Sequence, residues 1–416
     1  METDIEINSK YPILSRLEFS EKIRKRQAEL KYFIELCDHG LSAWTKPPGG
    51  KSLSQGCQAC KSGGYLCFYV GKKCNLDCIY CAQGTKQEKW AQPEGIDFIN
   101  DKYHIQEIME AFNNPEAIWS GSNVRCIEYS GGEPLIYMDK VLKLAFFVSK
   151  YHSHVYQMLV TNGLLVTEDK LKALRDCGIQ EIKFHIGACH FGKVVLDKLE
   201  MAINIMDYVS IITPPTPELK EFLIDKKKIH WLEDIGLHQL GLSELGSTSI
   251  LHLNNINEIG DKRALEYFQT LGQLYVFDSV VGKSLTGDDL TEVYISPIIS
   301  RDITYDIMRY AVEHEMDLIV NDCSQDGRHF QRIQRNMLER HIDRRKSINT
   351  HDPEHIQQLQ TEIEEERMDM LERYNGNQAQ DWLKPLIQRT TRKDDDGWHI
   401  KLEELAKSII DYLEKA

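Results

Sequence analysis

The chain reads as an α/β protein, a partial or open (β/α) TIM-like barrel with helical N- and C-terminal extensions. Three observations predict this. From Tyr65 onward, short apolar runs alternate with helical stretches, the pattern of βα units joined into a parallel sheet. The runs are nearly continuous in apolar residues, as expected for strands buried on both faces. Reactive residue types cluster just after the runs, and in a (β/α) barrel the C-terminal strand ends form the mouth.

The elements follow in order. Residues 20–37 form a predicted amphipathic helix, with Ile23, Leu30, Phe33, Ile34 and Cys37 at near-helical spacing and Gly40 as its stop. Pro47-Pro48-Gly49-Gly50 breaks the chain. Strands are expected over 65–70, 124–129, 155–161, 181–186, 208–212, 239–242, 274–277 and 318–320. Helices are expected over 106–112, 138–151, 168–177, 194–206 and 217–224. The last two strands are less regular than the first six, so the barrel is expected to be open or partial rather than closed. Residues 327–374 and 399–414 are charged and helix-rich, separated by the break Asp394-Asp395-Asp396-Gly397. The expected organisation is an N-terminal helical extension over 1–56, a barrel core with an upstream cysteine segment over 57–325, and a helical C-terminal region over 326–416.

Bulk composition narrows the class. A chain of 416 residues, 42% hydrophobic and 27% charged, can bury a large core. Neither a run of about 18 apolar residues nor a signal-peptide core occurs, so cytoplasmic residence without a membrane partner is expected. Eleven cysteines in that compartment read as thiols or metal ligands rather than disulfides. The net charge of −14 argues against a protein that coats nucleic acid.

The chemistry concentrates at Cys74, Cys78 and Cys81, in Gly71-Lys-Lys-Cys-Asn-Leu-Asp-Cys-Ile-Tyr-Cys. C-x3-C-x2-C offers three thiolates from one tight loop. A four-iron cubane usually takes four protein thiolates, so three leave one iron open to a small chelating molecule. Zinc is the competing reading, and it would need a fourth ligand from elsewhere. Past the second strand comes Ser130-Gly131-Gly132-Glu133-Pro134, whose glycines let the backbone approach a ligand without an intervening Cβ. As an isolated segment it would be a plain strand-to-helix turn. Asn162, in Thr161-Asn162-Gly163 after the third strand, reads equally as a turn residue. His185 and His190 follow the fourth strand, where a satisfied structural role competes with ligand contact, and Glu244 ends the sixth and is expected to face the same mouth.

The cysteine triplet, with Tyr80 just before its last member, and the Gly-Gly-Glu-Pro segment resemble the motifs of the radical SAM superfamily. The resemblance covers about residues 65–245. It implies a [4Fe–4S] cluster on Cys74, Cys78 and Cys81 with S-adenosylmethionine (SAM) on the open iron. It implies that Tyr80, Ser130, Gly131, Gly132, Glu133, Pro134, Asn162 and His185 line the cofactor. It further implies reductive cleavage of SAM to a 5′-deoxyadenosyl radical, with an electron donor such as flavodoxin or ferredoxin. A small-molecule or nucleotide-like substrate is the preferred reading. Extra cysteines of the family's peptide-modifying branch would follow the barrel, and here they precede it. An RNA or peptide substrate is the alternative within the family. A non-catalytic iron–sulfur or zinc protein for sensing or scaffolding is the alternative of another class.

A second group, Cys57-x2-Cys60-x6-Cys67, lies upstream. Its first pair has metal-ligand spacing and points to an auxiliary iron–sulfur cluster or a zinc site. Cys67 falls within the first strand, where an ordinary buried cysteine is common. Cys323, ending the last strand, is the distant fourth candidate. Cys37, Cys126, Cys177 and Cys189 read as core residues. The basic run from Arg328 to Lys346 suits a phosphate-bearing substrate less well than a solvated face paired with Glu362–Glu366.

Overall fold

The computed structural model describes residues 6–37, 40–71, 73–81, 109–110, 112–114, 121, 124–246, 259–283, 289–328, 330, 353–375, 382–413 and 415. Most of the 106–112 helix expectation and of the basic run beyond Arg328 lies outside them. The described strands are β1 (Glu6–Ser9), β2 (Leu14–Ser15), β3 (Ile34–Leu36), β4 (Ala43–Thr45), β5 (Tyr65–Tyr69), β6 (Cys126–Ser130), β7 (Tyr156–Thr161), β8 (Glu181–Phe184), β9 (Tyr208–Thr213), β10 (Gln239–Ser243), β11 (Leu274–Lys283), β12 (Asp289–Pro297), β13 (Ile319–Cys323), β14 (Thr391–Asp394) and β15 (Gly397–Lys401). They fall into two compact units.

The unit of residues 29–244 and 301–324 holds a nine-stranded sheet in the order β3-β4-β13-β10-β9-β8-β7-β6-β5. Strands β5 to β10 and β13 pair in parallel. This is the expected open α/β barrel architecture, with all seven C-terminal strand ends at one rim. Helices follow the strands for local reasons. The Met138–Tyr151 helix buries Val141, Leu144, Ala145 and Val148, an i, i+3, i+4, i+7 stripe. Thr167 caps the Glu168–Asp176 helix by accepting the Lys170 N–H, and Gly178 ends it at φ +97°, where a Cβ would be strained.

Two expectations, one strand and one helix, are corrected. The 274–277 run is not a barrel strand: it belongs to β11, which pairs with β12 and β2 in a separate sheet. The seventh parallel strand is β13, reached without it. The predicted 20–37 helix is instead Arg16–Glu29, and residues 34–36 form β3. There Ile34 is buried while Glu35 and Leu36 are exposed, so β3 pairs with β4 as a short edge ribbon capping β13.

The two faces of the sheet differ in chemistry. Leu159 and Ile182 lie on one face, and Gln157 there bonds to Ala145 O and Ser149 Oγ of the covering helix. The opposite face carries Glu128, Glu181, Lys183, Ser210, Gln239 and Asn321, each at most 9% exposed. A uniformly apolar sheet interior, the reading from the strand runs, therefore fails on this side. The Gln55–Lys61 helix lies against it: a Cβ on Gly56 would meet Met158 Sδ at 2.7 Å, and Ala59 packs with Cys126 and Tyr156.

At the far end of the same sheet, Arg301 is 1% exposed. It bonds Asp322 at 2.8 Å and faces Glu244 at 3.7 Å, both fully buried carboxylates. The Tyr305 hydroxyl donates to the same Asp322 oxygen at 3.1 Å. Glu244 thus serves this buried ion-pair network rather than an open mouth.

The other unit comprises residues 1–28, 245–300 and 325–416. It contains the β12-β11-β2 sheet and a second sheet, β1-β15-β14. The Asp394-Asp-Asp-Gly397 break is the turn of the β14–β15 hairpin, with Asp396 N–H donating to Asp394 Oδ1. The C-terminal region, expected to be helical, therefore also contributes strands. Among the described residues no helix is long and apolar enough to cross a membrane.

Candidate active site

The cysteine loop leaves β5 at the rim, where the glycine segment leaves β6 and Asn162 leaves β7. The backbone knits the first two together. Val70 N–H donates to Ser130 O, Gly132 N–H to Gly71 O at 2.8 Å, and Glu133 N–H to Lys73 O at 2.8 Å. Gly131 sits at φ +121°, and a Cβ there would stand 2.6 Å from Gly71 O. Only glycine fits both demands. Gly131→Ala is expected to cost on the order of 1–3 kcal/mol in backbone strain and clash. A urea midpoint no lower than that of the wild type would contradict this.

Glu133, 1% exposed, braces the rim. Oε1 accepts from Leu135 N–H and from the Thr161 hydroxyl at 2.7 Å, and Oε2 accepts from Asn162 N–H at 2.9 Å. Burial raises its carboxyl above the ordinary range, against the lowering effect of these three donors. With both oxygens engaged, Glu133 positions Asn162. Asn162 makes the turn expected of it, accepting Leu164 N–H, beside Gly163 at φ +83°. It also reaches the cysteine loop, donating to Asn75 Oδ1 at 2.7 Å and to Cys74 Sγ at 3.8 Å.

Tyr80 stacks on His185 with ring centroids 5.9 Å apart and planes within 6°. His185 Nδ1 accepts Ala188 N–H at 3.1 Å, which leaves the ring proton on Nε2. Burial pushes this imidazole down from 6.5 to about 4. A folded-state value below the unfolded one means the neutral ring is accommodated at full stability above pH 6.5. That stability is lost as pH falls toward 4, by about 3 kcal/mol at most. Comparing urea unfolding at pH 7 and pH 4.5 checks this: His185→Gln should lose less than the wild type over that interval.

The three thiols and their surroundings suit thiolate ligation. Leu76 N–H points at Cys74 Sγ at 3.4 Å. Burial, then the neighbouring Cys81, Cys74 and Cys189, push the Cys78 thiol up to about 12; burial also raises Cys74. Ligation must therefore displace protons, and metal loading is expected to strengthen with pH. An all-sulfur donor set with N–H groups on sulfur fits an iron–sulfur cluster. Among the described residues no three His, Cys, Asp or Glu side chains close on one ion position in the bare chain.

Cys189, read from sequence as a core residue, is half-buried at this rim. It lies within electrostatic reach of Cys74 and Cys78, and its thiol donates to Asn162 O at 3.2 Å. Only its place just after β8, four residues past His185, hinted at this.

The upstream cysteines lie elsewhere, on the polar face of the sheet. Cys57 is buried by the Gln55–Lys61 helix, and Cys67 faces Glu128 Oε1 at 4.0 Å. Cys323 ends β13 with Asn321 Nδ2 at 3.2 Å. Cys37 and Cys126 are buried, as expected of core residues, whereas Cys177, which ends its helix, is only half-buried. None of the eleven cysteines forms a disulfide.

Comparison with known proteins bears on the same residues. Residues 68–213 match the family described as the radical SAM superfamily. A Methanocaldococcus jannaschii protein provisionally named a glycyl-radical enzyme activating enzyme is 23% identical over 183 residues, covering 41% of this chain and 45% of that protein. The GTP 3′,8-cyclase of Clostridium botulinum is 32% identical over 124 residues, 29% of this chain and 34% of the cyclase. The chain thus spans less than half the length of these relatives. Coproporphyrinogen III oxidase from Escherichia coli aligns over 84% of this chain and 89% of its own, at 10% identity and a TM-score of 0.30, too low to carry an argument. The matched span contains every residue that meets at the rim, so this part of the chain carries a radical SAM domain.

Proposed function

We propose that the chain is a SAM-cleaving enzyme acting on a small-molecule or nucleotide-like substrate, with Cys74, Cys78 and Cys81 holding a [4Fe–4S] cluster. When bound, the cluster and SAM supply a 5′-deoxyadenosyl radical that takes a hydrogen atom from the substrate. The observation that carries this reading is Asn162. Its backbone is fixed by Glu133 of the glycine segment, while its side chain reaches Cys74. One residue therefore ties the cluster loop to the segment that would face SAM.

The protein's own part is to hold and orient. Ser130, Gly131, Gly132 and Pro134 offer backbone at close range beside the cysteine loop, and the Tyr80–His185 stack gives a flat wall beside it. A neutral His185 with its proton on Nε2 can donate to a ligand acceptor without adding charge. An electron carrier of the flavodoxin or ferredoxin class would serve as reductant.

The similarity to a GTP cyclase supports a nucleotide-like substrate. The similarity to an activating enzyme favours, as a second reading, a glycine in a polypeptide. The test is anaerobic reconstitution with iron and sulfide, then incubation with SAM and dithionite. Formation of 5′-deoxyadenosine supports the reading, and deuterium transfer from labelled nucleotides or glycine peptides separates the two substrates. No 5′-deoxyadenosine from a cluster-replete protein with any reductant sinks it.

A further inference from the structure

We infer that the polar face of the barrel sheet holds a second metal centre, a soft metal ligated by the thiolates of Cys57, Cys60 and Cys323. Cys57 and Cys60 are three apart on one helix, the spacing that puts two side chains on one face about 5–6 Å apart. Cys57 Sγ receives three N–H donors: Lys183 Nζ at 3.3 Å, Gln239 Nε2 at 3.2 Å and Asn321 Nδ2 at 3.8 Å. The same Asn321 nitrogen reaches Cys323 Sγ at 3.2 Å, so one amide spans the two sulfurs. Cys60 lies within electrostatic reach of both Cys57 and Cys323.

Ordinary core thiols sit among apolar groups. Cys57, although it also packs on Leu53 and Ile319, takes amide and ammonium donors on its sulfur, and Cys323 takes one, the kind of outer shell that steadies ligating thiolates. Two further features point to a ligand. Asn321 is 1% exposed, yet its Oδ1 has no hydrogen-bond partner, and the fully buried Glu181 Oε2 has none either. A buried acceptor left bare costs about 1–3 kcal/mol, so Asn321 Oδ1, beside the two sulfurs, calls for a donor or a cation. A Cβ on Gly241, opposite Asn321 in the β10–β13 register, would stand 3.0 Å from Ile211 O and 3.9 Å from Cys323 Sγ, so the glycine keeps the backbone close beside that thiol. Cys67 is set apart by its pairing with Glu128 and is not part of the set.

Three thiolates suit either zinc or an iron–sulfur cluster. Closing the set requires Asn321 to withdraw from between the sulfurs, which frees Oδ1 or Nδ2 to bond the ligated group. The centre rests on different residues from the proposed SAM site and stands or falls separately.

The test uses the full chain with Cys74, Cys78 and Cys81 replaced by alanine, loaded anaerobically with zinc or with iron and sulfide, then desalted. Retained zinc, or retained iron with sulfide and thiolate-to-iron absorption, is expected and identifies which metal the centre takes. Adding C57A and C60A should remove it, and Asn321→Ala should weaken zinc binding about 10–100-fold. If the triple variant, folded by circular dichroism, retains neither metal, the proposal is overturned. It is equally overturned if metal survives in the variant that also lacks Cys57, Cys60 and Cys323. Measuring 5′-deoxyadenosine in the C57A/C60A protein with its first triplet intact reports on the SAM site alone.

Discussion

Alanine at any one of Cys74, Cys78 or Cys81 is expected to bring 5′-deoxyadenosine formation down to the uncatalysed background while the chain remains folded. The loop they occupy stands at the strand ends and is half-exposed, so truncating a thiol there leaves no core cavity. The chemical loss is severe. Removing a partner of a metal ligand typically costs 10–100-fold in affinity or activity, and removing a ligand itself should exceed about 100-fold. A cubane with two protein thiolates has two exposed irons and is expected to shed metal. Iron analysis and product assay of each reconstituted single variant make the check. Product formation within tenfold of wild type in any one of them would remove that cysteine from the ligand set. The neighbouring Cys189 sharpens the comparison, because Cys189→Ala removes a thiol from the same rim without touching the C-x3-C-x2-C loop. It should retain iron.

The second large effect lies at Arg301, far in sequence from that loop. Arg301→Met is expected to destabilise the chain by about 3–5 kcal/mol, because it strands Asp322 and Glu244 as buried carboxylates without their cation. The native network holds Asp322 through Arg301 Nη2 and Tyr305. Burial raises the Asp322 carboxyl above its usual range, and Arg301 and Lys61 pull it back. Removing Arg301 leaves only Lys61 and Tyr305 to offset the burial cost, so Asp322 should take up a proton and partly relieve the loss. The variant's deficit should therefore shrink as pH falls, which urea unfolding at pH 7 and pH 5 can measure. A double replacement, R301M with D322N, should recover part of the stability. A single R301M variant as stable as the wild type would show that the ion pairs are dispensable.

Much of the rim was readable along the chain because its determinants are local. The spacing of Cys74, Cys78 and Cys81 is a property of eight consecutive residues, and the glycines at 131 and 163 reflect backbone demands at single positions. What the glycine segment does with its glutamate was not readable. Glu133 reads as a cofactor-lining residue from its motif, but the fold folds it under and gives both oxygens to protein donors. Cys189 was read as core for the same kind of reason. Its neighbours at the rim come from other βα units, and nothing near it in sequence announces them.

Local periodicity also misplaced strand 274–277, since an apolar run specifies a buried strand without saying in which sheet it pairs. The polar face shows the limit most clearly. Glu181, Lys183, Gln239 and Asn321 lie within or at the ends of short strand runs, where isolated polar residues are ordinarily read as strand ends or edges. Their meaning arises from pairings 126 residues apart for Lys183 with Cys57 and 264 apart for Asn321 with Cys57.

By itself, the sequence determined the βα alternation, the cysteine loop at the end of the first barrel strand and the glycine turn at the end of the second. Each depends on the periodicity and conformational needs of a few neighbouring residues. Only the tertiary structure decided which strands share the barrel sheet, which buried charges neutralise one another and which polar groups gather around Cys57. Those outcomes depend on parallel register, and parallel strands are joined through crossovers that separate every pair of partners along the chain.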